Sequence, residues 1–192
     1  MVAQFDRLTP DEYLEAERHS NVRHEYFDGQ VVAMAGASRA HNLLVTNLIA
    51  LLRPKVRGNG CDLFSSDMKV RIATRNRFFY PDLLLTCDSR DRENDYFVQY
   101  PKLIIEVLSE STEAFDRGSK FRDYGELMSL EQDVLVSQEE RLVECFTRQE
   151  DGSWRLDRYV NDDLLRLESL DFAIGLDAVY EDVALTAERG ND

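Results

Sequence analysis

Two short apolar runs each carry a single acid. Tyr80-Pro81-Asp82-Leu83-Leu84-Leu85 holds Asp82, and Leu103-Ile104-Ile105-Glu106-Val107-Leu108 holds Glu106, 24 residues further on. Each run is long enough for a buried strand. A carboxylate in such a run is costly to bury unless something positive or polar meets it. Two of them on two strands point to a shared metal or proton site. A positive group is at hand. Asp116 and Lys120 lie four apart, so they share a helix face. The Glu106 strand leads into that helix through Ser109-Glu110-Ser111, and so short a connection lets Lys120 lean over the carboxylates. Glu25, at the start of an earlier hairpin, is a further candidate.

This set suits phosphodiester hydrolysis. Mg²⁺ takes oxygen ligands, usually one or two carboxylates with water and substrate phosphate. Bound metal acidifies its water and offsets charge building on the phosphate. A nearby ammonium stabilises the same charge. Asp82 and Glu106 would be the metal ligands, Lys120 the ammonium, and Glu25 a supporting or second-metal group. Plainer readings stand beside these. Asp82 could be a solvated acid at a strand entrance, and Asp116 with Lys120 an ordinary surface ion pair. Lys69 is a rival source of positive charge. His41, near a helix start, is either an accessory site residue or a cap. The arginines 75, 77, 90 and 92 read as a solvated loop face before a phosphate-contacting rim.

The elements that must position these residues follow from capping and periodicity. Thr9, Pro10, Asp11 and Glu12 open a helix that Asn21 closes. A hairpin over 24–37 turns at Asp28-Gly29. A helix from Ser38 repeats leucines at three and four and stops near Pro54 and Gly58-Asn59-Gly60. One strand with a wet face is expected over 64–73, then two buried strands over 80–87 and 102–109, with a polar connection at 88–100 between them. A long helix is expected over 112–128, although Gly118 weakens it. Late strands over 133–137, 141–148 and 154–160 form a meander turning at Asp151-Gly152, and a strand pair surrounds Phe172 and Ile174. The tail, 187–192, is expected to fray. The order is mixed α/β, a central sheet with helices on its faces.

Composition bounds the rest. The 192 residues fit one domain, with a core over about 9–183, and 43% hydrophobic residues supply its interior. The net charge of −14 argues against simple electrostatic DNA binding. Cys61, Cys87 and Cys145 form no CxxC pair, so they read as small buried hydrophobes rather than a disulfide framework. No run reaches the length of a membrane span, and the charged start is no signal peptide, so a soluble cytoplasmic protein is expected.

Several of these residues carry a resemblance. Pro81-Asp82, then Glu106-Val107-Leu108-Ser109, then Asp116-Arg117-Gly118 with Lys120 and Tyr124, resemble the Uma-two domain proteins of the PD-(D/E)XK, or restriction-endonuclease-like, superfamily. His24-Glu25-Tyr26-Phe27-Asp28-Gly29 and His41 also match that pattern, and the likeness spans about 9–183. It implies a four-stranded mixed core sheet flanked by helices, and an endonuclease cutting DNA with Mg²⁺, or Mn²⁺ in its place. It also implies a homodimer or a higher homo-oligomer, since a double-strand cut takes two sites. Asp82 is then the aspartate after proline and Glu106 the acid of (D/E)XK. Leu108 stands where that motif has its lysine, a role the resemblance passes to Lys120. Where the family has Glu-Tyr-Trp and a strand ending in Asp, this chain has Glu131-Gln132-Asp133-Val134-Leu135-Val136-Ser137. That departure and the acidic charge favour the alternative, a non-catalytic module of the same fold acting in binding or assembly.

Overall fold

The structure, a computed structural model, describes residues 7–185. The tail at 187–192 lies outside the described residues. Helix α1 (Pro10–Arg18) starts on a full capping box, in which Thr9 and Glu12 exchange side-chain and backbone bonds. The hairpin of β1 (His24–Phe27) and β2 (Gln30–Ala33) turns on Asp28 and Gly29, both at positive φ, 47° and 95°. Helix α2 (Arg39–Val56) is capped by the Ser38 hydroxyl and carries Pro54 within its last turn. There follow β3 (Asp62–Ser65), β4 (Lys69–Ile72), β5 (Arg77–Phe79), β6 (Leu83–Thr86), β7 (Phe97–Val98) and β8 (Pro101–Leu108). A helical run over 113–124 comprises α3 (Glu113–Phe115), a π turn (Asp116–Lys120) and α4 (Phe121–Tyr124). The chain continues through β9 (Gln132–Ser137), β10 (Leu142–Arg148), β11 (Trp154–Val160), β12 (Leu164–Leu167), β13 (Phe172–Gly175) and α5 (Leu176–Val179).

A six-stranded sheet, in the order β11-β10-β9-β8-β6-β3, organises the molecule. It is mixed, since β8 and β9 run parallel and its other pairs run antiparallel. A parallel pair needs a crossover, and the helical run supplies it. Alternation along the strands sends side chains to two different cores. On one face Leu83, Leu85, Ile105, Val107, Val134 and Val136 pack against Leu44, Leu48 and Leu52 of α2, with α5 and the β12-β13 hairpin closing the layer. On the other face Leu84 and Ile104 meet Val70, Ile72 and Phe79, together with Tyr124, Leu127 and Leu130. Those first three belong to a second sheet, ordered β2-β1-β5-β4-β7.

The structure corrects four expectations. The strand expected over 64–73 is two strands in two sheets. Ser66 adopts the left-handed conformation (φ 47°) between β3 and β4 and redirects the chain. The sheet face opposite α2 is covered by a second sheet as well as by a helix. The helix expected over 112–128 ends at Tyr124, and Met128 lies in a turn with 81% of its surface exposed. Finally, Cys61 and Cys87 form a disulfide. Asp62 and Thr86 are opposite one another in the β3-β6 ladder, so the next residues outward are the two cysteines. Cys145 is free and buried, as expected.

Candidate active site

Register decides where the two acids go. In the antiparallel β6-β8 pair Leu84 faces Ile104 and Leu83 faces Ile105, so the next step along the ladder sets Asp82 opposite Glu106. Both acids share the sheet face of Leu84 and Ile104. The Asp82 amide points at Glu106 Oε2, 3.4 Å away, and the Val107 amide donates to Asp82 Oδ2 at 2.7 Å. His41, in the first turn of α2, stands with Nε2 2.9 Å from Asp82 Oδ1.

The helical run brings the positive charge. Lys120 Nζ lies 2.9 Å from Glu106 Oε1, 3.4 Å from Glu25 Oε1 and 3.5 Å from Asp116 Oδ1. It sits at the end of the π turn, a widening often found where a helix serves a functional group. The Tyr124 hydroxyl donates to the same Glu106 Oε1 at 2.7 Å. Glu106, Asp116 and Lys120 are all buried. Burial works against the Lys120 charge, but Glu106, Glu25 and Asp116 outweigh it and hold the ammonium well above the ordinary lysine range. Burial pushes the Glu106 carboxyl up, Lys120 pulls it back, and Asp116 and Asp82 push it up again. Burial and the Glu106 charge likewise raise the Tyr124 hydroxyl, which stays protonated as a donor.

All six sequence candidates therefore meet in one network, Asp82, Glu106, Lys120, Glu25, Asp116 and His41. Lys69, the rival cation, does not join it. Its ammonium is buried at the Tyr80 hydroxyl, 3.2 Å away, and that hydroxyl donates to Glu17 Oε1 at 3.0 Å. Burial lowers its pKa. The four arginines make no common rim: Arg75 and Arg77 meet Asp123, whereas Arg90 pairs with Asp88 and Arg92 with Asp62. One buried acid escaped notice. Asp133 stands in β9 opposite Ile104, on the face that carries Glu106. The signal was available, since Asp133 is an acid in the apolar run Val134-Leu135-Val136, just as Asp82 and Glu106 are in theirs.

The donor set bears on metal binding. Among the described residues no three His, Cys, Asp or Glu side chains are arranged to close on one ion. What is on offer is an open pair of carboxylates, Asp82 and Glu106, with Glu106 Oε2 the less engaged oxygen. Such a pair fits a hard cation that keeps most of its water, as Mg²⁺ does, better than a closed cage.

The Uma2 family, described as "Putative restriction endonuclease", matches residues 10–179. The chain belongs to that family. Its relatives include uncharacterized protein slr1290 of Synechocystis sp. (strain ATCC 27184 / PCC 6803 / Kazusa), 38% identical over 182 residues, covering 95% of this chain and 96% of that protein. A second, uncharacterized protein sll1609 of the same organism, is 34% identical over 158 residues, covering 81% and 89%. The fold matches the crystal structure of a "putative nuclease belonging to DUF820" from Anabaena variabilis ATCC 29413, with a TM-score of 0.76 over 92% of this chain and 99% of that one. At 14% identity that likeness speaks for the fold alone. The restriction-endonuclease-like α/β fold is thus shared with that structure. No described helix is long and apolar enough to cross a membrane.

Proposed function

We propose that this Uma2 protein is a divalent-metal-dependent endonuclease that hydrolyses phosphodiester bonds in DNA. The observation that carries the reading is the convergence of Asp82, one residue before β6, on Glu106 of β8, with the Lys120 ammonium 2.9 Å from Glu106. A hard cation such as Mg²⁺, or Mn²⁺ in its place, would supply charge to the scissile phosphate and acidity to water. Asp82 and Glu106 would hold it. The Val107 amide and His41 fix the Asp82 carboxylate, and Tyr124 fixes that of Glu106. Lys120, kept charged by its three acids, would offset the negative charge that gathers on the phosphoryl oxygens. Glu25 and Asp116 hold the ammonium over Glu106. A double-strand cut takes two such sites, so two chains are expected to act together on the duplex.

The test is cleavage of plasmid DNA with Mg²⁺ or Mn²⁺. Wild type should cut, and Asp82→Ala and Glu106→Gln should each lose activity by at least about a hundredfold, the scale of removing a group that stabilises developing charge. No cleavage across broad nucleic-acid substrates, together with no metal-dependent rise in melting temperature, would sink the reading. The net charge of −14 would then favour the binding or assembly alternative.

A further inference from the structure

Asp133 has no place in the network described so far, yet it is the least explained polar group near it. It is 1% exposed, and neither carboxyl oxygen has a hydrogen-bond partner among the described residues. The Val134 amide pulls on it weakly, without the alignment of a bond. A buried acid left this way is costly, and a native chain that keeps one calls for a reason. Its position is specific. Asp133 is opposite Ile104 in the β8-β9 ladder, and Glu106 is opposite Leu135, so Asp133 and Glu106 are diagonal neighbours on one face. Strands in a sheet lie about 4.8 Å apart and same-face residues along one strand about 6.6 Å, so the two side chains are within reach of one long side chain. Burial pushes the Asp133 carboxyl up to about 7; Lys120 pulls it down and Asp116 pushes it up.

Glu106 Oε1 already takes two donors, Tyr124 and Lys120. Anything cationic that engages Glu106 weakens its hold on the ammonium and repels it. Lys120 is buried and cannot retreat to water. We propose that Asp133 is a positioning residue for Lys120, a second seat to which the ammonium turns when Glu106 is engaged by another cation. Only the identity of that cation rests on the nuclease reading above. The seat itself is a property of Lys120, Glu106 and Asp133. It gives Lys120 two stations on one sheet face, Glu106 at rest and Asp133 when the metal ligands are filled.

The test frees Lys120 without any metal. In Glu106→Gln the neutral amide no longer holds the ammonium, so a crystal structure should find Nζ about 3 Å from Asp133. The Lys120 ammonium resonance, followed by NMR, should differ between Glu106→Gln and Glu106→Gln/Asp133→Leu. A double-mutant cycle between Lys120→Met and Asp133→Asn should show coupling about tenfold larger in the Glu106→Gln background than in the wild-type one. A purely structural Asp133 would couple equally in both. Should Lys120→Met not fold, the crystal and NMR arms still decide. An ammonium that remains on Glu25 and Asp116 in Glu106→Gln, with a resonance indifferent to Asp133→Leu, overturns the second seat. Melting of the wild type with Mg²⁺ or Mn²⁺ separates the two readings. An occupied Asp133 seat with melting that ignores both metals upholds the seat and removes the nuclease reading. Melting raised by metal with an indifferent ammonium does the reverse.

Discussion

At Glu106, one oxygen of a buried carboxylate gathers two donors. The Tyr124 hydroxyl makes a buried bond to a charged acceptor, the stronger class of protein hydrogen bond. Tyr124→Phe should therefore cost about 2 kcal/mol in urea denaturation, with the fold intact. Asp133 gives the opposite sign. Its folded-state carboxyl titrates at about 7 against an ordinary 3.8, so between those values the folded protein holds a proton that the unfolded chain has lost. Stability then falls as pH rises through that window and levels above it, by about 4 kcal/mol for a shift of this size. Asp133→Asn removes the slope. The variant should gain stability over wild type at pH 8 and little at pH 4, measured by denaturation at the two values. Asp82 and Glu106 were legible in the sequence because an acid inside an apolar strand is expensive wherever it stands. Asp133 obeys the same rule but is less marked, since it heads its apolar run behind the polar Glu131 and Gln132 rather than lying inside it.

Among the elements, those governed by local chemistry were legible and those governed by distant neighbours were not. Thr9 with Glu12, and Asp28 with Gly29, specify their helix start and turn within a few residues. The buried strands β6 and β8 announce themselves by unbroken apolar runs. The break at Ser66 does not, because a serine in the left-handed region carries no mark in the sequence. Nor does the π turn at 116–120, since a widened turn keeps the same residue types. The Cys61–Cys87 pairing depends on β3 lying beside β6, which the sequence does not declare. That bridge closes a separation of 26 residues. By loop-closure entropy its loss should cost about 3.5 kcal/mol. Cys61→Ser/Cys87→Ser should accordingly melt at a lower temperature than wild type, and reduction of the wild type should reproduce the shift.

Over the whole molecule, the two sheets meet around Phe79. Its ring contacts Phe27 of the first hairpin and both Phe115 and Tyr124 of the helical run. Phe79 thus joins the parts that deliver Glu25, Lys120 and Tyr124. Phe79→Ala should cost about 3–5 kcal/mol in chemical denaturation, as large-to-small changes in packed cores do. It should also lower metal-dependent cleavage, if wild type has it, without removing any charged group of the site. The six-stranded sheet adds a further constraint, because β6 and β8 are in register only as far as Leu85, where the ladder shifts. Side chains alternate faces, so sliding β6 by one residue would carry Asp82 to the α2 side and leave Glu106 alone with Lys120. There is no halfway position between those two arrangements. Asp82 and Glu106 therefore share a face in this register, and a one-residue slip parts them.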